Sequence, residues 1–202
     1  MRTKTLLICA AMGATVVANA QNVTVKTEAA GTVKDQLKIG LTIEGKVDKT
    51  DFNYLDAFAG LKALDLKDAT IEAYTAESGK VYAVNEIPDS AFMTSSYVNQ
   101  NGVVVYTGNK SIESFVLPAS VVTIGASAFN SSAATSIDFS ASKQLALIKD
   151  HAFDMVNVDK IDLSGLSSLK TIEQYASGKV GITFPSTSSV HNPEELTFVR
   201  AK

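Results

Sequence analysis

The chain nearly repeats itself. Residues 120–142 read SVVTIGASAFNSSAATSIDFSAS, and residues 146–166 read ALIKDHAFDMVNVDKIDLSGL. An Ile, an Ala-Phe pair and a short Ile-Asp-apolar segment recur at matching offsets. The first motif appears as IPDSAF from Ile87, IGASAF from Ile124, IKDHAF from Ile148 and IEQYAS from Ile172, the last three starts being 24 residues apart. A second motif keeps step with it: FVLP from Phe115, IDFS from Ile137, IDLS from Ile161 and ITFP from Ile182. Earlier copies are LTIE from Leu41 and LDLK from Leu64. Each of these six segments alternates apolar, variable, apolar, which puts its apolar pair on one face of a strand. A four-residue strand cannot bury that face alone, so the pattern predicts stacked parallel strands around a shared core.

The step of 21 to 24 residues between the later strands lies within the leucine-rich-repeat range of about 20–29. The Ala-Phe pairs, Ala91-Phe92, Ala128-Phe129 and Ala152-Phe153, fall on the return segment. There Ala permits close approach of neighbouring coils and Phe fills the interior. The expected fold is a leucine-rich-repeat solenoid with one short parallel strand per repeat, irregular or short helical return segments, and inserted β-hairpins.

The stretch LPASVVTIGASAF resembles the repeat of the BspA-type leucine-rich-repeat proteins, L-P-x-S-V-x-x-I-G-x-x-A-F. Leu117, Pro118, Ser120, Val121, Ile124, Gly125, Ala128 and Phe129 all match it. Residues 41–74, with a first strand, a D-F-x-x-L helix and an L-D-L strand, are also similar to such proteins, so the likeness covers roughly residues 37 to 184. Ser177 stands where the repeat expects Phe, which suggests a closing solenoid, and the stretch SSAATS lacks the usual Cys. The resemblance implies a secreted or cell-surface protein of a kind common in Bacteroidetes. It further implies non-catalytic binding, as in adhesion to host or bacterial surface proteins or matrix components.

The first twenty residues read as a secretory signal peptide: basic Arg2 and Lys4, an apolar and small-residue stretch from Leu6 to Ala18, then a small-x-small site before Gln21. The apolar run is too short for a permanent membrane span, and no other segment is long enough. Cys9 is preceded by Ile8 rather than a small residue, which argues against lipidation. It is the chain's one cysteine, so the mature chain has no disulfides and rests on core burial. Losing Arg2 and Lys4 takes the net charge from −3 to −5. Such an acidic chain is a poor match for nucleic acid. The expected organisation is a signal peptide over 1–20, an N-terminal cap over 21–40, repeats over 41–185 and a C-terminal cap or tail over 186–202. Thr50 or Asp51 is the expected cap of a short helix in KTDFNYLDAF, and Leu196 to Val199 are expected to form a last strand.

Leu64 and Phe115 are 51 residues apart, so about one repeat's worth of chain is inserted. Ser-Gly in AYTAESGKVYAV and Asn-Gly in SSYVNQNGVVVYTGNK predict one or two hairpins between Tyr74 and Asn109. Tyr82, Tyr97 and Tyr106 lie on them, either as interface anchors or packed onto the solenoid edge.

Catalytic patterns are missing from the sequence. It has no H-E-x-x-H, G-x-S-x-G, Walker loop or G-x-G-x-x-G. Of the two histidines, His151 occupies the variable site before an Ala-Phe pair and reads as solvated, and His191 lies in a polar tail. Neither a cofactor nor a metal is expected, and the chain is not expected to be an enzyme. The strand-central residues Thr42, Asp65, Val116, Asp138, Asp162 and Thr183 should face outward. Asp138 and Asp162, on adjacent strands about 4.8 Å apart, would repel by roughly 1–3 kcal/mol. Water and Lys62, Lys143 and Lys160 could screen them, or they could meet a cation or a basic patch on a partner. In the second case, replacing both with Ala stabilises the free protein and weakens binding. The candidate surface is thus Asp65, Asp138, Asp162, Tyr82, Tyr97 and Tyr106, with a protein as the partner. A structural spacer or assembly module is the alternative, and a glycan-binding accessory protein a third reading, which the absence of Trp disfavours.

Overall fold

The structure is a computed structural model that describes residues 39–58, 60–178 and 180–184 and the strand Thr197–Phe198. The signal peptide, most of the N-terminal cap, His191 and nearly all of the 186–202 tail lie outside those residues.

The predicted strands stack in parallel, and the apolar positions align. On the front wall Leu41 lies beside Leu64, Leu64 beside Phe115, and Phe115 beside Ile137. Further on, Ile161 lies beside Ile182. Inward-facing Leu64, Leu66, Phe115, Leu117, Ile161 and Leu163 are buried. The result is a parallel β-solenoid of about six turns.

The return segment is more regular than expected and carries no helix in the described repeats. Glu86–Ile87, Thr123–Ile124, Leu147–Ile148, Thr171–Ile172 and Thr197–Phe198 form a second, five-stranded parallel sheet on the rear wall. Ile87, Ile124, Ile148 and Ile172 point from it into the core. Each of the first four rear strands leads into a turn, and in three of them the turn carries Ala-Phe. The rings pile through the interior: Phe92 and Phe129 are 5.3 Å apart, Phe129 and Phe153 5.4 Å apart and nearly parallel at 13°. Phe115 and Phe139 meet the pile edge-on. Such offset and edge contacts are the favoured aromatic geometries.

At the N-terminal side the helix α1, Lys49–Ala57, covers the first coil by burying Phe52 and Leu55. Phe52 extends the ring pile, 5.9 Å from Phe92. Its cap is Asp48, not Thr50 or Asp51. The Asp48 carboxylate accepts the Thr50 N–H at 2.7 Å, and Asp51 accepts the Asp48 N–H at 2.9 Å. This is a reciprocal capping box with Asp in the third position.

The insertion leaves the front wall unbroken at its site, since Ser114–Val116 pairs directly with Leu61–Asp65. It carries two hairpins, Tyr74–Thr75 with Val81–Tyr82 and Ser95–Val98 with Val104–Thr107. A real break occurs elsewhere. Among the described residues the front sheet ends at Ser136–Asp138, and Lys160–Asp162 pairs only with Gly181–Thr183. Asp138 and Asp162, expected on adjacent strands, stand on strands of successive coils that do not pair with each other. The rear sheet carries the solenoid across that gap.

Candidate recognition surface

Three parts of the surface carry the predicted residues. On the front wall Asp65, Asp138 and Asp162 face outward, but each folds back on its own chain. Asp65 Oδ1 accepts the Lys67 N–H at 2.9 Å, Asp138 Oδ1 the Ser140 N–H at 2.7 Å, and Asp162 Oδ1 the Ser164 N–H at 2.9 Å. A short carboxylate bonded to the backbone two residues on closes the turn after the strand. The Ser164 hydrogen bonds hold the Asp162 carboxyl below its ordinary value. These aspartates do not form a continuous ribbon. Val116 stands between Asp65 and Asp138 in the register, and the break in the ladder separates Asp138 from Asp162. The break opens a cleft of about 260 Å³ lined by Asp138, Ser140, Asp162, Ser164 and Leu166, with Lys143 Nζ reaching across to Gly165 O at 3.1 Å.

The three tyrosines do not converge. Tyr82 lies under Lys80 Nζ at 5.0 Å and Lys49 Nζ at 5.9 Å and faces Tyr74 across its hairpin. It is packed onto the solenoid by cation–π contacts. Tyr106 turns toward the rear wall, its ring 6.4 Å from His151. Tyr97 stands in solvent on the outer strand of the second hairpin, opposite Val105 and 56% exposed.

That second hairpin is the most unusual surface of the molecule. From Ala91 to Asn109 the chain has no charged residue. Tyr97, Val98, Val103 and Val104 are all exposed. The turn is held by Asn99, whose Oδ1 accepts the N–H groups of Asn101 and Val103, with Gly102 at a left-handed φ of 75°. The foot is rigid. Gly108 packs against the backbone of Asn130, Ser131 and Ser132 so closely that no Cβ fits. Asn109 accepts the N–H groups of Ser111 and Ile112 and donates to Asp56 O at 2.8 Å. A fixed foot and a bare apolar tip are what a docking element needs.

Beside the first hairpin, the rear wall holds an ionic network. Buried Glu86 meets Lys149 at 2.6 Å, Asp89 meets Lys80 at 2.6 Å, and Lys149 lies 3.7 Å from Asp89. Burial alone would raise the Asp89 carboxyl, but the Lys80 and Ala126 hydrogen bonds and the Lys149 charge outweigh it and hold it below its ordinary value. His151, expected to be solvated, is instead only 28% exposed at its side chain and stacks on Tyr175 at 5.0 Å. The signal for this pair was present in the sequence: the site before Ala-Phe, occupied by Ser90 and Ser127 in earlier copies, turns aromatic or imidazole in the last two. Among the described residues no group of three or more His, Cys, Asp or Glu is placed to hold a metal, and no helix is long and apolar enough to cross a membrane.

The family comparison agrees with this geometry. Residues 102–193 match the family model described as a BspA type leucine rich repeat region, in six copies. No curated protein matches the chain. Among solved structures the chain is similar to the pneumococcal vaccine antigen PcpA, with 27% identity over 73% of this chain and a TM-score of 0.42. It spans about a third (34%) of that protein's chain. The repeated strands, the Ala-Phe turns and the six matched copies make residues 102–193 a BspA-type leucine-rich-repeat region.

Proposed function

We propose that this is an exported, non-catalytic recognition protein that engages a protein partner through the hairpin Ser95–Thr107 and the solenoid wall beside it. The observation that carries the reading is the hairpin: an uncharged, apolar tip on an anchored foot, exposed in an otherwise acidic molecule. Solvent-facing valines and a tyrosine on a rigid projection cost solubility and contribute nothing to the core, so they fit selection for contact. The repeat family supports an extracellular or surface setting, with the segment 1–20 directing export and the segments 21–40 and 186–202 closing the two ends of the solenoid. Adhesion to host or bacterial surface proteins, or to matrix components, is the partner class we favour.

The test is capture from matrix and surface extracts, comparing the mature chain with a Tyr97→Ser/Val104→Thr variant by mass spectrometry. Proteins enriched by the first and lost with the second support the reading; identical captures from both oppose it. A second reading, self-assembly, is favoured by one observation: among the described residues each strand of the hairpin pairs only with the other and leaves an open edge. Light scattering at rising concentration decides it, since an assembly module grows in mass without a partner.

A further inference from the structure

The first strand of the second hairpin leaves its main chain open. Among the described residues Ser95–Val98 pairs only with Val104–Thr107, and it is exposed along its whole length, whereas Val105, Tyr106 and Thr107 are half-buried. The Asn99 N–H donates to Val103 O at 2.9 Å, which makes Asn99 and Val103 a bonded pair at the head of the ladder. From there the pairs of an antiparallel ladder alternate. Tyr97 with Val105 and Ser95 with Thr107 take bonded positions, and Ser96 with Tyr106 and Val98 with Val104 take unbonded ones. The N–H and C=O of Ser96 and Val98 therefore point away from the hairpin, and among the described residues nothing outside the hairpin bonds to them.

Exposed edges in native proteins are guarded by charge, by proline or by a covering element. The first hairpin follows this rule, with Glu77 and Lys80 in its turn. The second does not: the chain from Ala91 to Asn109 contains neither a charged residue nor a proline. A two-stranded hairpin is marginal in water, and further strands stabilise it. Charge and register both point to a second copy as their source. At a net charge of −3 two copies repel, and this stretch lets them meet without bringing like charges together. The edge is also complementary to itself. When two such strands run antiparallel with Tyr97 facing the second copy's Tyr97, Ser96 of each lies opposite Val98 of the other, and all of these carry outward main-chain groups. Tyr97 then takes an unbonded position, where opposed side chains come closest and aromatic pairs are favourable. A slip of one residue would set outward groups of one strand against inward groups of the other.

We propose that two copies of this chain pair antiparallel along Ser95–Val98, Tyr97 against Tyr97, with Ser96 and Val98 of each exchanging main-chain hydrogen bonds with Val98 and Ser96 of the other. The contact is isologous, so it closes at a dimer and joins the two hairpins into one sheet. It is a small interface and a weak one, with a dissociation constant of about 0.1–1 mM. Val103 and Val104, on the turn and the second strand, take no part in it. The proposal rests on the self-assembly reading above and gives it a surface and a register.

The test follows the full chain by sedimentation equilibrium from about 10 μM to 2 mM, a span that brackets such an affinity. We expect the weight-average mass to rise from 21.4 kDa toward twice that value and no further. Ser96→Pro removes an outward N–H and no bond inside the hairpin, and should weaken the pairing about tenfold or more. Two charged variants keep the test decisive if the proline is poorly tolerated. Ser96→Lys/Val98→Lys and Ser96→Glu/Val98→Glu each set like charges opposite one another; mixed, they should pair about tenfold more tightly than either does alone. Register is read with single cysteines: Cys9→Ser in every chain, then Tyr97→Cys, Ser96→Cys or Val98→Cys, in a glutathione redox buffer. Tyr97→Cys should form the disulfide-linked dimer about tenfold faster than the other two, whose like positions lie a diagonal apart. A mass that stays flat with concentration sinks the pairing together with self-assembly as a whole. The pairing alone falls, and self-assembly stands, if growth continues past two copies, persists undiminished in Ser96→Pro, gains nothing from mixing the charged variants, or links Ser96→Cys or Val98→Cys as fast as Tyr97→Cys.

Discussion

The ring pile inside the solenoid and the hairpin outside it are built from similar residues under opposite rules. Phe92, Phe129 and Phe153 are buried and repeat with the coils, each resting on the one before. Tyr97, Val98 and Val104 lie on the second hairpin and face water. The interior is a shared property, so one lost ring is felt by the coils on either side. The hairpin touches the solenoid at its foot and leaves the tip free to vary. Stability and the proposed recognition thus fall to different residues, and the two can be broken separately.

The largest expected effect comes from the interior. Phe129→Ala removes the ring at the centre of the pile and should lower unfolding free energy by about 3–5 kcal/mol, read as a shift in the urea midpoint. A change of less than about 1 kcal/mol would mean the coils do not share one core. Next is the joint between the two regions. A methyl at Gly108 would overlap the backbone of Asn130 to Ser132, so Gly108→Ala should cost about 1–3 kcal/mol, a typical cost of forced overpacking. It should also loosen the hairpin, visible as faster amide exchange between Ser95 and Thr107.

The ionic network on the rear wall comes third. Asp89 is held below its ordinary value of 3.8 by Lys80, Ala126 N–H and Lys149. Its contribution is complete above that value and is lost as pH falls through the depressed native one. Asp89→Asn should therefore cost most near neutrality, and its stability curve should converge with that of the parent protein as the solution is acidified toward pH 2. Parallel curves would show that the carboxylate's charge contributes nothing. Smaller again is Asp138→Ala. Adjacent repelling carboxylates would make it stabilising. The observed bond to the Ser140 N–H makes it destabilising, by about 0.5–1 kcal/mol, and the sign of the midpoint shift decides between them. Smallest for stability is Tyr97→Ser at the hairpin tip, expected within about 0.5 kcal/mol of the parent protein. A loss of partner capture with an unchanged midpoint would complete the separation of the two regions.

Much of the fold was legible because a solenoid is locally encoded. Each coil contacts only its neighbours, so alternation in IDFS or IDLS names the inward residues without knowledge of distant chain. The Ala-Phe turns were readable for the same reason, and Asn-Gly and Ser-Gly marked both hairpins. Errors arose where a side chain had a local choice that periodicity does not record. Asp48 rather than Thr50 caps the helix, because Asp51 three residues on can answer it. Asp138 and Asp162 bond to their own turns rather than act as free charges. The exposure of the candidate residues was legible only in part: Tyr97 faces solvent, but Tyr82 is held beneath two lysines.

The sequence by itself determined the repeat, the two inward-facing positions of each strand and the aromatic filling. These follow from periods of two and of about 24 residues, and any chain obeying them must stack to bury its apolar faces. Only the tertiary structure decided where the insertion's residues come to rest, where the front ladder breaks, and that Tyr106 meets His151. That contact joins residues 45 positions apart in the chain, and no local period relates a hairpin to the coils it folds against.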